Sequence, residues 1–192
     1  MSDPLSIASR HNAVLIIVDV QERLAATMSR REHVLAASRR LVQTAELVGV
    51  PIVVTRQYPT GLGDIEPLIR VDLERAVGSV PIAWADKVAF DCFAELAFAE
   101  ALATTGRRQL LIAGMESHIC IAQTALNALS RDYEVHVIAD ACCSREEGSH
   151  EIAMARLREA GAVITTTESV LYELVGAAGT DEFRALLRIV KE

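Results

Sequence analysis

Residues Ala13-Val-Leu-Ile-Ile-Val18 form a continuous apolar run that stops on a carboxylate, Asp19. A strand with no polar alternation leaves no face for water, so it belongs in a parallel sheet covered on both sides. The same design recurs at Pro51-Ile-Val-Val-Thr55, around Pro81 to Ala85, and at Gln109-Leu-Leu-Ile-Ala113, Glu134-Val-His-Val-Ile-Ala139 and Ala162-Val-Ile-Thr165. Helical periodicity fills the intervals. Val34, Leu41, Ala45 and Val48 recur behind a capping box, Ser29-Arg-Arg-Glu32, and stop at Gly49. Asp91 opens a second helix running to Gly106, His118 to Ser130 forms a third, and Glu146 to Ala160 a fourth, with two more over residues 169–175 and 180–190. Residues 56–78, rich in Pro, Gly, Asp and Glu, read as a long loop. The expected architecture is a three-layer α/β/α fold with a six-stranded parallel, Rossmann-like sheet, one domain over residues 1–192.

Composition narrows the function. The 19 basic and 26 acidic side chains give a net charge of −7, and no basic run resembles a nucleic-acid footprint, so nucleic acid is not an expected partner. Neither is a membrane: the longest apolar runs are strand-sized, well short of the roughly 20 residues a spanning helix needs. Met1 to Arg10 lacks the apolar core of a signal peptide, and Cys92, Cys120, Cys142 and Cys143 show no CxxC spacing. Free thiols in a cytoplasmic protein are expected.

In doubly wound sheets, sites form beyond the carboxyl ends of the strands. Asp19 follows the first strand, Lys87 the third, and Cys120 lies in the first turn of the helix after the fourth; the three converge if strands one and four are neighbours. A helix N-terminus and a nearby lysine both favour a thiolate, while a carboxylate can take the thiol proton and pass it on. Together these are the groups that covalent acyl transfer requires. Taken singly, each has a plainer reading: a packed cysteine, a turn-capping aspartate, a surface lysine.

With these residues in place, the sequence resembles the isochorismatase-like cysteine hydrolases, the superfamily that includes nicotinamidases. The resemblance spans nearly the whole chain and rests on Leu15-Ile-Ile-Val-Asp19-Val-Gln21, Asp86-Lys87 and Ala113-Gly-Met-Glu-Ser-His-Ile-Cys120. Thr55-Arg-Gln-Tyr-Pro-Thr-Gly-Leu-Gly63 and Val137-Ile-Ala-Asp-Ala-Cys-Cys-Ser-Arg145 look like the branch called isochorismatase domain-containing proteins. The resemblance implies Asp19 as proton shuttle, Lys87 as electrostatic partner and Cys120 as nucleophile. It further implies a cis peptide at Met115–Glu116 and an oxyanion hole from the backbone N–H groups of Glu116 and Cys120. Nicotinamidases bind a metal through an Asp-x-His pair and a further His; here Asp64-Ile-Glu66 stands instead, with no histidine between His33 and His118. No metal and no cofactor are expected.

The expected reaction is hydrolysis of a small-molecule amide through a thioester. Gln21, Tyr58, Trp84 and His118 are the pocket candidates, the two aromatics as a wall for a planar substrate. Cys142 and Cys143 read as packing residues, and Asp140 as the cap of the turn that follows it. Vinyl-ether hydrolysis and a redox-sensing scaffold without catalysis are the competing readings. The apolar helix carrying Phe183, Leu186, Leu187 and Val190 either covers the sheet or mediates self-association, and a homo-oligomer is expected.

Overall fold

A computed structural model describes residues 7–191. Met1 to Ser6, part of the segment read as lacking a signal peptide, lie outside the described residues. The first strand, β1 (Ala13–Val18), is buried along its whole length. Helices α1 (Glu22–Ala25) and α2 (Arg31–Val48) lead to β2 (Ile52–Gln57). Helices α3 (Pro59–Leu62) and α4 (Pro67–Ala76) then precede β3 (Ile82–Lys87). The rest alternates: α5 (Leu96–Thr105), β4 (Gln109–Met115), α6 (Ala122–Ser130), β5 (Glu134–Cys143), α7 (Glu147–Glu159), β6 (Val163–Thr165), α8 (Thr167–Val175) and α9 (Asp181–Lys191). The strands make one parallel sheet in the order β3-β2-β1-β4-β5-β6, so the six-stranded doubly wound plan stands. Strands β1 and β4 are neighbours. The order reverses between them, which is where such folds open a crevice.

Alternation along each strand feeds two apolar layers. Leu15, Ile17, Ile52 and Val54 pack with residues of α2, α4, α8 and α9; Val14, Ile16, Val18 and Val53 pack with Phe98, Leu102, Ala125 and Leu157 from α5, α6 and α7. Helix α9 buries Leu186 and lies against α2 and α8, so it serves as an outer layer of the sheet.

Several local expectations change. The segment read as a long loop holds two helices, each with proline in its first turn, where the missing N–H costs nothing. Helix α4 gains its footing by burying Ile69, Leu73 and Ala76. The capping box does not form: α2 starts at Arg31 with no side-chain cap, because Glu32 pairs with Arg31, whose guanidinium also reaches Glu66. Asp91 caps only a 3-10 turn, Cys92–Ala94, and a separate helix starts at Leu96. Strand β5 does not end at Asp140. It bulges after Val137, which pairs with Ile112, and rejoins β4 with Cys142 opposite Gly114 and Cys143 opposite Met115. Asp140 caps no adjacent turn; its Oδ1 accepts from Thr167 N and Oγ1 at the start of α8. Cys142 and Cys143 are fully buried at the rejoined end of the strand.

One glycine holds the crevice together. Gly114 has φ +132°, and a Cβ there would lie 2.0 Å from the Val18 carbonyl oxygen, just before Asp19. No side chain fits between β1 and β4 at this level. Gly114→Ala is expected to lose about 2–4 kcal/mol in urea unfolding, through a backbone clash at positive φ; an unchanged midpoint would show that the strands separate without cost.

Candidate active site

Asp19, Lys87 and Cys120 meet beyond the carboxyl ends of β1, β3 and β4. Asp19 breaks β1 with a left-handed φ of +53°, which turns its side chain out of the strand's alternation. Lys87 ends β3 on the same sheet face as Ala85, the face covered by α5 and α6. Cys120 sits in a π-helical turn, Ser117–Ile121, rather than in the first turn of an α-helix, and this turn leads straight into α6. Lys87 Nζ lies 2.6 Å from Asp19 Oδ2 and 3.5 Å from Cys120 Sγ. Asp19 is 0% exposed, Lys87 2% and Cys120 5%, so the three groups act in a nearly dry site.

Each polar atom has a defined neighbour. Asp19 Oδ1 accepts from Thr55 Oγ1 at 2.7 Å, while Oδ2 pairs with the ammonium of Lys87. Lys87 Nζ also donates to Gln57 Oε1 at 2.6 Å and to the Ala89 and Phe90 carbonyls at 3.3 Å. Burial alone lowers the lysine pKa, but the charge of Asp19 and the two nearby thiols, Cys92 and Cys120, outweigh it. The side chain stays an ammonium.

The thiol behaves otherwise than expected. Burial pushes Cys120 up to about 12, the charge of Asp19 adds to this, Lys87 opposes it, and a hydrogen bond to Asp19 raises it again. Desolvation and the charge of Asp19 together exceed the help of the lysine, and Cys120 rests as a neutral thiol. Cys92, wholly buried beneath it, is also pushed up to about 12, chiefly by burial.

The remaining candidates divide. The Met115–Glu116 peptide is cis. The Glu116 carboxylate turns toward Arg145, accepting from its N and Nε at 2.9 and 3.2 Å. His118 is exposed, with Nδ1 2.9 Å from Ser144 Oγ. Tyr58 donates its N–H to the Lys87 carbonyl, and its exposed ring lies over Gly61. Trp84 points to the sheet face opposite Lys87, where the Arg56 guanidinium sits 5.8 Å from its ring, so the expected wall of two aromatics does not form over Cys120. Gln21 is buried, with its amide engaged by backbone: its Oε1 accepts from Gln57 N, and its Nε2 donates to the Gln57 and Gly63 carbonyls. Where Asp19 interrupts β1, this side-chain amide takes over the backbone pairing of β2.

Thr55, Gln57 and Cys92 reach the site although the sequence did not single them out as site residues, Thr55 and Gln57 lying within the Thr55–Gly63 motif only as marks of the branch. The signal was local: Val53, Thr55 and Gln57 alternate onto the face that holds Cys120, once β2 is allowed to run two residues further. Asp64, in the position where a metal ligand would be sought, is engaged by Arg56 and Arg70. Among the described residues no group of three or more His, Cys, Asp or Glu side chains converges as metal ligands.

Fold and site define a doubly wound α/β protein with a cysteine–lysine–aspartate centre at its switch point. The chain belongs to the isochorismatase family, whose domain model matches residues 13–169. Isochorismatase domain-containing protein 2 of Bos taurus is 36% identical over 94% of this chain and 84% of its own length. A secreted isochorismatase effector of Phytophthora sojae is 34% identical over 95% of this chain and 86% of its own length. Among solved structures, one described as MAR1 ribonuclease from Caenorhabditis elegans superposes with a TM-score of 0.87 at 29% identity, covering 97% of this chain and 93% of that one.

A neutral resting thiol has a kinetic signature. Alkylation of Cys120 by iodoacetamide, followed by peptide mass spectrometry, is expected to rise about tenfold per pH unit from pH 7 to 10, because the thiolate fraction grows until pH reaches the raised pKa. A plateau below pH 9 would contradict the burial argument.

Proposed function

We propose that this chain is a cysteine-dependent hydrolase of small, uncharged amides, acting through a thioester on Cys120. The observation that carries this reading is the single ammonium, Lys87, within 2.6 Å of a carboxylate and 3.5 Å of a thiol in a buried crevice. The exposed side chains beside it, Tyr58, Val88 and Phe90, favour an uncharged substrate, with Tyr58 and His118 at the rim.

When substrate fills the crevice, Asp19 Oδ2 takes the proton of Cys120 and Lys87 stabilises the thiolate. The sulfur attacks the carbonyl carbon, and the oxygen takes up the displaced electron pair. Backbone N–H groups of Glu116 and Cys120 hold that oxyanion, a contribution of about 3–4 kcal/mol per donor. As the C–N bond breaks, protonated Asp19 protonates the departing amine. Asp19 then deprotonates water, which adds to the thioester and expels the thiolate. Return of the proton to sulfur closes the cycle.

The net charge of −7 favours a small molecule over a polyanion, although the nematode structure bears the word ribonuclease in its description. Location in the cytoplasm fits four thiols left unpaired, while the oomycete relative is named as secreted. No described helix is long and apolar enough to cross a membrane. The exposed apolar side chains Val88, Phe90 and Leu96 support a homo-oligomer, which light scattering on the eluting peak checks: a mass of one chain, 20.8 kDa, would refute it.

A panel of primary amides, vinyl ethers and short RNAs tests the reaction. Asp19→Asn is expected to reduce amide turnover about 10²–10⁴-fold, and Cys120→Ala to abolish the acyl-enzyme seen by intact mass. Vinyl-ether turnover that survives Cys120→Ala would replace the amidase reading with isochorismatase chemistry.

A further inference from the structure

Lys87 has three N–H groups and five acceptors within 3.5 Å. The two shortest approaches, both 2.6 Å, are to Asp19 Oδ2 and Gln57 Oε1; the Ala89 and Phe90 carbonyls and the Cys120 sulfur are left with the third hydrogen. The Gln57 amide can sit only one way round. An ammonium only donates and the Val88 carbonyl only accepts, so Oε1 faces Lys87 and Nε2 donates to Val88 O at 2.6 Å. Behind it, Gln21 clamps the Gln57 backbone through both N–H and carbonyl.

We infer that Gln57 is a positioning residue, a neutral acceptor that fixes the Lys87 ammonium between Asp19 and Cys120 so that its charge serves whichever of the two is ionised. This rests on the cysteine-hydrolase reading. In that cycle Asp19 alternates between carboxylate and acid while Cys120 alternates between thiol and thiolate. Gln57 Oε1 is the short contact whose charge never changes. It holds Nζ in place when Asp19 is protonated, and it does not compete with the thiolate as an anion would. A carboxylate in its place would draw the ammonium away from sulfur and add a negative charge where one is about to form.

The test is the alkylation rate of Cys120 by iodoacetamide at pH 8, with added N-acetylcysteine as the rate standard and circular dichroism confirming the fold of each variant. Gln57→Met, similar in length but without an acceptor, is expected to slow Cys120 about fivefold in the parent and less than about twofold in Lys87→Met, because an effect exerted through the lysine vanishes with it. Gln57→Glu, the same shape with a charge, is expected to slow it about tenfold or more, one unit of apparent pKa, and decides the matter should the methionine variant fail to fold. Equal slowing by Gln57→Met in both backgrounds would make the residue a mere support for the Val88 carbonyl and overturn the proposal. So would a parent-like rate in Gln57→Glu. If Lys87→Met itself leaves Cys120 unchanged, the cysteine-hydrolase reading fails first, and the role of Gln57 falls with it.

Discussion

The ion pair between Asp19 and Lys87 is the constraint around which the crevice is arranged. Two charges with almost no exposure cost several kcal/mol each to desolvate, and their attraction offsets this only when the remaining hydrogen-bonding capacity is met. That requirement explains the neighbours. Thr55 serves one oxygen of Asp19, while Gln57 and two loop carbonyls serve the ammonium. The loop after β3 is thus tied to the charge it encloses, and the apolar side chains it carries are held beside Cys120.

The same pair bears on why Cys120 rests as a thiol. Burial pushes the thiol up first and the charge of Asp19 adds to it, while Lys87 offsets only part of the rise. A neutral cluster can exchange a proton internally without changing its total charge, which is the transition a low-dielectric site tolerates best. A preformed thiolate beside Asp19 would instead leave one buried anion too many. General-base activation suits this geometry better than a permanently ionised cysteine.

Backbone irregularities set these side chains where regular strands could not. The left-handed residue at Asp19, the close approach at Gly114 and the bulge of β5 after Val137 all lie at the junction of β1, β4 and β5. The bulge brings Ser144 to His118 and Arg145 to Glu116, anchoring both sides of the turn that carries Cys120. Ser117, bonded to His150 of α7 at 2.8 Å, anchors it from beneath. These supports thus surround Cys120, whose own segment is a wide π-helical turn.

Much of this was legible in the chain. Unbroken apolar runs require burial on both faces, so the parallel sheet follows from period, while polar residues at the strand ends made Asp19, Lys87 and Cys120 candidates whose meeting depended on strands one and four being neighbours and whose roles came from the family resemblance. Helix α4 was hidden because the prolines and glycines of the surrounding segment mask a short apolar stripe that only packing against α2 makes worthwhile. Trp84 and Gln21 were misplaced for a related reason. Which face a strand residue takes depends on register, and what a buried amide bonds depends on a neighbouring strand. The acidity of Cys120 was decided by tertiary structure: Lys87 and Asp19 reach it from other strands, and the burial that outweighs the lysine comes from residues distant in sequence that close over the sulfur.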